Sequence, residues 1–244
     1  MKAVLLAGGY ATRLWPLTKD TPKALLEVGE KTLLEHILHQ LEQVQKIKQI
    51  YITTNEKFEP DFRKFLKEWK GRQKIELIIE KGFSEEKKKG SVGALLHMHE
   101  KGLLDERMLI MAADNLFGSK IVEVLNELAE SKENSFVLVN IERREDAKHY
   151  GVCELDENSC VIALEEKPEQ PKSTLVSTGC YALNKAVLDQ LPTYCEGEHE
   201  VDRMGDFIRW LIKKTELKGI VFKGKWFDIG THDQLERARE EHEA

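Results

Sequence analysis

Met1-Lys2-Ala3-Val4-Leu5-Leu6-Ala7-Gly8-Gly9-Tyr10-Ala11-Thr12-Arg13 opens the chain, and the reading of this stretch decides the fold. The apolar run Ala3 to Leu6 empties directly into Ala7 and the pair Gly8-Gly9. A continuous apolar run this short predicts a buried strand. Glycines directly after it let the backbone turn sharply and bring its N–H groups against an anion with no Cβ in the way. Thr12 adds a hydroxyl and Arg13 a permanent charge, and Pro22-Lys23 brings a second cation that can converge on the same polyphosphate. A Gly-Gly pair alone is also an ordinary turn between strand and helix; the two cations raise the phosphate reading above it. The stretch is neither of the common phosphate loops, since it lacks the Gly-Lys-Ser/Thr of a P-loop and the third glycine of a dinucleotide fingerprint.

Outward from this stretch the pattern alternates. Thr32 and Glu35 form a capping box ahead of a helix carrying Leu33, Leu34, Ile37, Leu38, Leu41 and Val44. A strand is expected over 49–54, a helix over 60–70 with Phe62, Phe65, Leu66 and Trp69 on its apolar face, and a strand over 75–80. Ser91 is read as the cap of a helix reaching about residue 101. A strand over 108–112, a helix over 120–132 and a strand over 135–141 follow. This βαβ grammar predicts an α/β fold, a Rossmann-like, mostly parallel mixed sheet flanked by helices. The grammar then changes: Tyr150-Gly151-Val152 starts a strand, 156–159 make a turn and 160–164 return, an antiparallel hairpin ending in Glu166-Lys167-Pro168. A core helix over 201–215, a strand over 217–222 and a terminal helix over 233–244 complete the chain.

At 244 residues the chain is read as a single domain, with one half, bearing the glycine loop, to about residue 141 and a second half over 142–232. Its 37 basic and 43 acidic residues are interspersed, which dedicates no face to nucleic acid or to an anionic membrane. Lys87-Lys88-Lys89 is the exception and reads as a solvated loop. No run approaches the length of a membrane span and the first residues are not a signal peptide, so a cytoplasmic protein is expected. Cys153, Cys160, Cys180 and Cys195 have no metal-ligand spacing and read as reduced thiols. Cys180 reads as packing, and His36, His39, His97 and His99 as helix-surface or packing residues.

Asp114 ends the 108–112 strand, where open α/β sheets place ligands, and a carboxylate there is a hard oxygen donor suited to Mg²⁺. The alternative is a cap on a following helix. In the hairpin, Gly151 leaves the main chain open to close approach, Glu166 can accept hydrogen bonds and Lys167 supplies a point charge, although Glu166-Lys167-Pro168 taken alone reads as a surface turn.

Gly8-Gly9-x-Ala11-Thr12-Arg13-Leu14-x-Pro16-Leu17-Thr18, with Pro22-Lys23-Ala24-Leu25, resembles the signature of the sugar-1-phosphate nucleotidylyltransferases. The family more often carries glycine at the position of Ala11, so the resemblance asks that alanine adopt an unusual φ. Further segments agree: Gly90-Ser91-Val92-Gly93, Ala113-Asp114-Asn115, Tyr150-Gly151-Val152, Glu166-Lys167-Pro168, Ser177-Thr178-Gly179 and Trp226-Phe227-Asp228-Ile229-Gly230-Thr231. The resemblance implies the nucleotide-diphospho-sugar transferase fold, with the hairpin as a sugar-binding insertion. It also implies a reaction joining an NTP and a sugar 1-phosphate into an NDP-sugar with release of pyrophosphate.

It implies a nucleotide contact set of Leu6, Ala7, Gly8, Gly9, Thr12, Arg13, Lys23, Glu80, Gly90, Gly93 and Asp114, with Glu80 facing the base. Glu80 suits N3–H of uracil or thymine and equally the N1–H and amino group of guanine. Asn115, Tyr150, Gly151, Glu166, Lys167, Thr178 and Gly179 would meet the sugar phosphate. Arg13, Lys23 and Lys167 would be catalytic, and Asp114 with Asp228 would hold Mg²⁺. The run of motifs leans toward dTTP or UTP with glucose 1-phosphate. The alternatives are a mannose-1-phosphate guanylyltransferase and, in another class, a catalytically silent nucleotide-binding regulatory subunit. A homo-oligomer is the only protein partner that the resemblance suggests.

Overall fold

The structure, a computed structural model, describes residues 1–80, 90–197 and 202–242. The chain folds as two compact units, each assembled from distant segments. One comprises Met1–Lys88, Met111–Ala129 and Gly224–Ala244, the other Lys89–Ile110 and Glu130–Lys223. The expected lysine run at 87–89 and the first residue of the expected 201–215 helix lie outside the described residues.

In the first unit the opening apolar run is the strand Lys2–Leu6, and Ala3, Val4 and Leu5 are wholly buried. It pairs in parallel with Gln49–Asn55, which pairs in parallel with Lys74–Glu80. Register fixes the chemistry at the carboxyl ends, since Leu6 stands opposite Thr53 and Asn55 opposite Glu80. The helix Leu33–Glu42 starts where its capping box dictates: the Thr32 hydroxyl accepts from Glu35 N, and Glu35 Oε2 accepts from Thr32 N. Its leucines and Ile37 are buried as their spacing requires. A second crossover helix, Glu59–Glu68, buries Phe62.

Two elements of this unit have no periodic signal. Asn115–Phe117 and Trp226–Asp228 form a short antiparallel pair in which Asp228 stands opposite Asn115. Its inner face joins Leu14, Leu26, Val28 and Leu33 in one apolar cluster, closed by Leu235 and Ala238 of the helix His232–Glu241. The turn carrying Arg13 and the turn carrying Lys23 are thus anchored on one small core.

In the second unit Ser135–Asn140 pairs antiparallel with Leu175–Leu183 and in parallel with Lys218–Phe222. The expected hairpin is present as Gly151–Leu155 with Val161–Glu166. Its turn is held by the Asp156 carboxylate, which accepts from Asn158 N and Cys160 N. Helices Gly90–Glu100 and Met204–Leu211 belong here, the latter packing Phe207 against Tyr194 with ring centroids 5.1 Å apart. Ser91 lies inside the first turn of its helix rather than before it, and its hydroxyl donates to Asp202 O at 3.0 Å. The fold is mixed α/β, as its sequence grammar requires. None of the four cysteines is in a disulfide; Cys180 is buried, and burial pushes its thiol up to about 12, consistent with packing.

Candidate active site

Three strand ends and one short ladder build the site in the first unit. Leu6 O accepts from Ala113 N at 3.0 Å, which ties the end of the opening strand to the segment bearing Asp114. Beyond Leu6 the chain is steered by two bonds. Ala7 N donates to Thr53 O at 3.0 Å, and Asn55 Nδ2 donates to Gly8 O at 2.9 Å. A Cβ on Gly8 would stand 2.7 Å from Glu80 Oε1, so any other residue here would push that carboxyl aside. On Gly9 a Cβ would meet nothing within 4 Å, and the residue is exposed. The loop therefore has one face seated on Glu80 and another open to a ligand.

Glu80 is 8% exposed. Burial pushes its carboxyl up to about 7, against which the facing Thr53 hydroxyl acts weakly. A carboxyl in this state can be neutral at neutral pH, with one donor and one acceptor to offer.

The turn Thr12–Leu14 follows Ala11, which has φ 48° and ψ 46°. Alanine does adopt the left-handed conformation, held by Leu14 N and the Thr18 hydroxyl, both donating to Ala11 O. Thr12 and Arg13 are exposed. Gly230 lies beneath the guanidinium, since a Cβ there would stand 3.5 Å from Arg13 Nη2. Lys23, in the second turn, donates to Asp114 Oδ2 at 2.8 Å. Its side chain is 13% exposed and that of Asp114 38%, so the pair is half-sheltered yet open on the carboxylate side.

Asp114 does not cap a helix, because the residues after it form a strand. Its other oxygen, Oδ1, accepts from Asn115 Nδ2 at 2.9 Å, and Asn115 Oδ1 in turn accepts from Trp226 Nε1 at 2.7 Å. The short ladder sets Asp228 opposite Asn115, and Ile229 N donates to Asp114 O at 3.1 Å. The backbone at Asp114 and that at Asp228, residues far apart in sequence with half-exposed side chains, are thus brought together. They are hard oxygen donors, and an ammonium already rests on one of them, so this pair fits a divalent cation. No group of three or more His, Cys, Asp or Glu suited to a metal occurs among the described residues, so any metal here would rely on these two and on non-protein oxygens.

The second unit gathers the remaining expected residues. Lys167 N donates to Tyr150 O at 2.9 Å, which closes the end of the hairpin away from its turn. Lys167 has φ 49° and is exposed. Glu166 stands opposite Gly151, and a Cβ on Gly151 would be 3.1 Å from Glu166 Oε2. Gly205, in the first turn of the helix Met204–Leu211, comes closer still, at 2.6 Å. Burial raises the Glu166 carboxyl, with Lys167 and Arg203 opposing the shift. Thr178 is buried and donates to Val137 O at 2.9 Å, while Gly179, with φ 74°, lies in the register break between Ser177 and Tyr181. Gly90 opens its helix and Gly93 is buried within it.

The expected residues therefore sort into two sets. Leu6 to Arg13, Lys23, Glu80, Asp114, Asn115 and Asp228 share the first unit, and Gly90, Gly93, Tyr150, Gly151, Glu166, Lys167, Thr178 and Gly179 share the second. Sequence reasoning missed three participants. Gly205 was visible only as an isolated glycine in a helical pattern, Trp226 only as part of a motif, and Gly230 only as its neighbour.

Residues 2–244 match the family model described as Nucleotidyl transferase. The chain is similar to the bifunctional protein GlmU of Methanococcus aeolicus, 29% identical over 94% of this chain and 51% of that protein. The chain thus spans about half the length of the curated relatives it first matches. It is 29% identical to the UTP–glucose-1-phosphate uridylyltransferase AglF of Haloferax volcanii, over 98% of this chain and 96% of that one. Among solved structures, a putative glucose-1-phosphate thymidylyltransferase from Bacillus anthracis, crystallised with sucrose, superposes with a TM-score of 0.82. That match has 30% identity and covers 98% of this chain and 94% of that one.

Proposed function

We propose, for a chain that belongs to the nucleotidyl transferase family, that it joins an NTP and a hexose 1-phosphate into an NDP-sugar and pyrophosphate, working as one domain in the cytoplasm. The observation that carries this reading is the Lys23–Asp114 pair at 2.8 Å, tied through Ala113 to the strand that feeds the glycine loop. A cation and an oxygen donor in contact at the carboxyl ends of parallel strands suit a polyphosphate and its counter-ion.

The acceptor phosphate is already ionised at neutral pH, so no general base is needed. The residues' task is to neutralise charge and hold the reacting groups in line, which supplies up to about 7–11 kcal/mol. Arg13 would meet the β- and γ-phosphates and stabilise the departing pyrophosphate. Lys23 would face the α-phosphate, where charge builds. Thr12 and the N–H groups of Gly8 and Gly9 would cradle the nucleotide, and Lys167 would hold the sugar phosphate. Glu166, against Gly151, would accept from sugar hydroxyls alongside Tyr150, Thr178 and Gly179. Asp114 and Asp228 would hold Mg²⁺, which when bound supplies a Lewis acid and a template for the phosphates.

Glu80 favours uracil or thymine over guanine. A neutral carboxyl accepts from N3–H and donates to an adjacent carbonyl, whereas guanine's two donors want both oxygens unprotonated, a state that burial disfavours. UTP or dTTP with glucose 1-phosphate is the preferred pair.

The test is pyrophosphate release with Mg²⁺ across dTTP, UTP, GTP, CTP and ATP against glucose, galactose, mannose and N-acetylglucosamine 1-phosphates, with Lys23→Met as control. One dominant pyrimidine combination, lost in the control, is expected. A dominant GTP and mannose 1-phosphate combination would replace the substrate assignment. A blank matrix with nucleotide still bound would replace catalysis by a regulatory role.

A further inference from the structure

We propose that Trp226 is a positioning residue that fixes the Asp114 carboxylate through Asn115, and thereby sets the site's affinity for a divalent cation. The proposal rests on the reading of Asp114 as a metal ligand. Trp226 and Asp228 are two residues apart on one strand and so share a face. Opposite them stand Phe117 and Asn115, and the indole reaches diagonally across the ladder to the Asn115 amide.

The chemistry of the chain of bonds runs in one direction. An indole nitrogen can only donate, so an Asn115 amide facing it at 2.7 Å must present oxygen. The amide nitrogen is then aimed the other way, and it donates to Asp114 Oδ1 at 2.9 Å. Asn115 is 6% exposed, so little water is at hand to satisfy the opposite orientation, which would set two donors against each other. Asp114 Oδ1 is thereby held, while Oδ2 faces the Lys23 ammonium at 2.8 Å. The carboxylate cannot rotate without losing a donor, and its Oδ2 edge is left as the one a metal ion would share with or take from Lys23. Outer partners that orient a ligand in this way typically alter metal affinity by about 10- to 100-fold.

The experiment measures free Mn²⁺ by electron paramagnetic resonance as the ion is titrated into the whole chain, without substrates. Trp226→Phe keeps an aromatic ring and removes the N–H; a weakening of about 10-fold is expected, with an unchanged far-UV circular dichroism spectrum. Asn115→Leu cuts the same chain one link further on and serves if Trp226→Phe does not fold; it should weaken binding at least as much. Adding Trp226→Phe to Asn115→Leu should then change nothing further, because the indole acts only through the amide. Wild-type affinity in Trp226→Phe, or losses that multiply in the double variant, would overturn the proposal. Asp114→Asn separates the two readings. If it binds Mn²⁺ like wild type, the metal-ligand reading falls and the positioning role with it. If it alone loses affinity, only the positioning role falls.

Discussion

Asp114 in the first unit and Glu166 in the second are both carboxylates at strand ends, but the chain treats them in opposite ways. Asp114 has a donor on each oxygen, one of them an ammonium, and keeps 38% of its side chain open. Glu166 is pressed between Gly151 and Gly205, and burial outweighs the cations around it. The first environment keeps a charge in place for something positive to meet. The second lowers the cost of giving charge up and suits hydrogen bonds from neutral hydroxyls. One functional group acquires two chemistries from its surroundings, as the proposed phosphate and sugar roles would require.

The largest expected effect comes from removing the cation of the first environment. Lys23→Met should lower turnover by about 10²- to 10³-fold, the usual cost of one preorganised charge facing a transition state. Mn²⁺ binding at Asp114 should be no weaker, because a competitor for Oδ2 has gone. A variant within threefold of wild-type turnover would break the contrast, for Lys23 would then be no more than a structural partner.

Glu80 sharpens the contrast from inside the first unit, since it shares the burial of Glu166. Its folded carboxyl stands at about 7 against an ordinary 4.5, so the folded state binds the proton more tightly than the unfolded one. The stability cost of ionising it is therefore absent at low pH, grows as pH rises from about 4.5 to about 7, and is complete above that. Glu80→Gln should gain on wild type across that window by an amount of the order of 3 kcal/mol, since each tenfold difference in proton affinity is worth about 1.4 kcal/mol. Urea melts at pH 5 and pH 8.5 measure it, and a constant difference would count against a buried neutral carboxyl. UTP use by wild type should also decline above neutrality while that of the variant stays flat.

In the second unit, Gly205→Ala pushes a methyl group toward Glu166 Oε2, 2.6 Å away. Overpacking of this kind costs about 1–3 kcal/mol, less up to about 1 kcal/mol regained from alanine's helix propensity. The expected result is a sugar 1-phosphate KM raised several-fold with the NTP KM unchanged. A rise in both would mean that Glu166 is not dedicated to the sugar.

Much of this was readable beforehand, for physical reasons that also mark the limit. The opening strand, the capping box at Thr32 and Glu35 and the hairpin around Asp156 are local, so periodicity and turn chemistry reveal them. Asp114 stood out because it follows the expected 108–112 strand, and Asp228 only through the motif that resembles the family's. The strands Asn115–Phe117 and Trp226–Asp228 are too short to have a period, so the ladder joining them was not. The bond from Trp226 to Asn115 spans 111 positions and depends on cross-strand register. Gly205 was hidden because its neighbours Met204, Phe207 and Ile208 are core residues at helical spacing, and its role is defined by a carboxylate from the hairpin, distant in sequence.

The smallest effect concerns a strain that the two units share. Ala11 beside the glycine loop has φ 48°, and Lys167 beside Glu166 has φ 49°. Each non-glycine residue in the left-handed region costs roughly 1–2 kcal/mol. At Lys167 the strain is tied to a charge, so no substitution isolates it. At Ala11 it can be isolated, because Ala11→Gly removes only a methyl group. That methyl packs on the cluster of Leu14, Leu116 and Ile229 but is only partly buried, so its loss costs less than the ~0.8 kcal/mol of a fully buried carbon. Glycine's greater freedom in the unfolded chain takes back roughly 0.4–1 kcal/mol. The relieved strain is the largest of the three contributions, and a net gain of about 0.5 kcal/mol should raise Tm by about 1–2 °C. Turnover should stay within twofold, since Leu14 N and the Thr18 hydroxyl still hold the residue 11 carbonyl. A fall in Tm would mean that the methyl contact, and not the backbone, decides which residue this turn prefers.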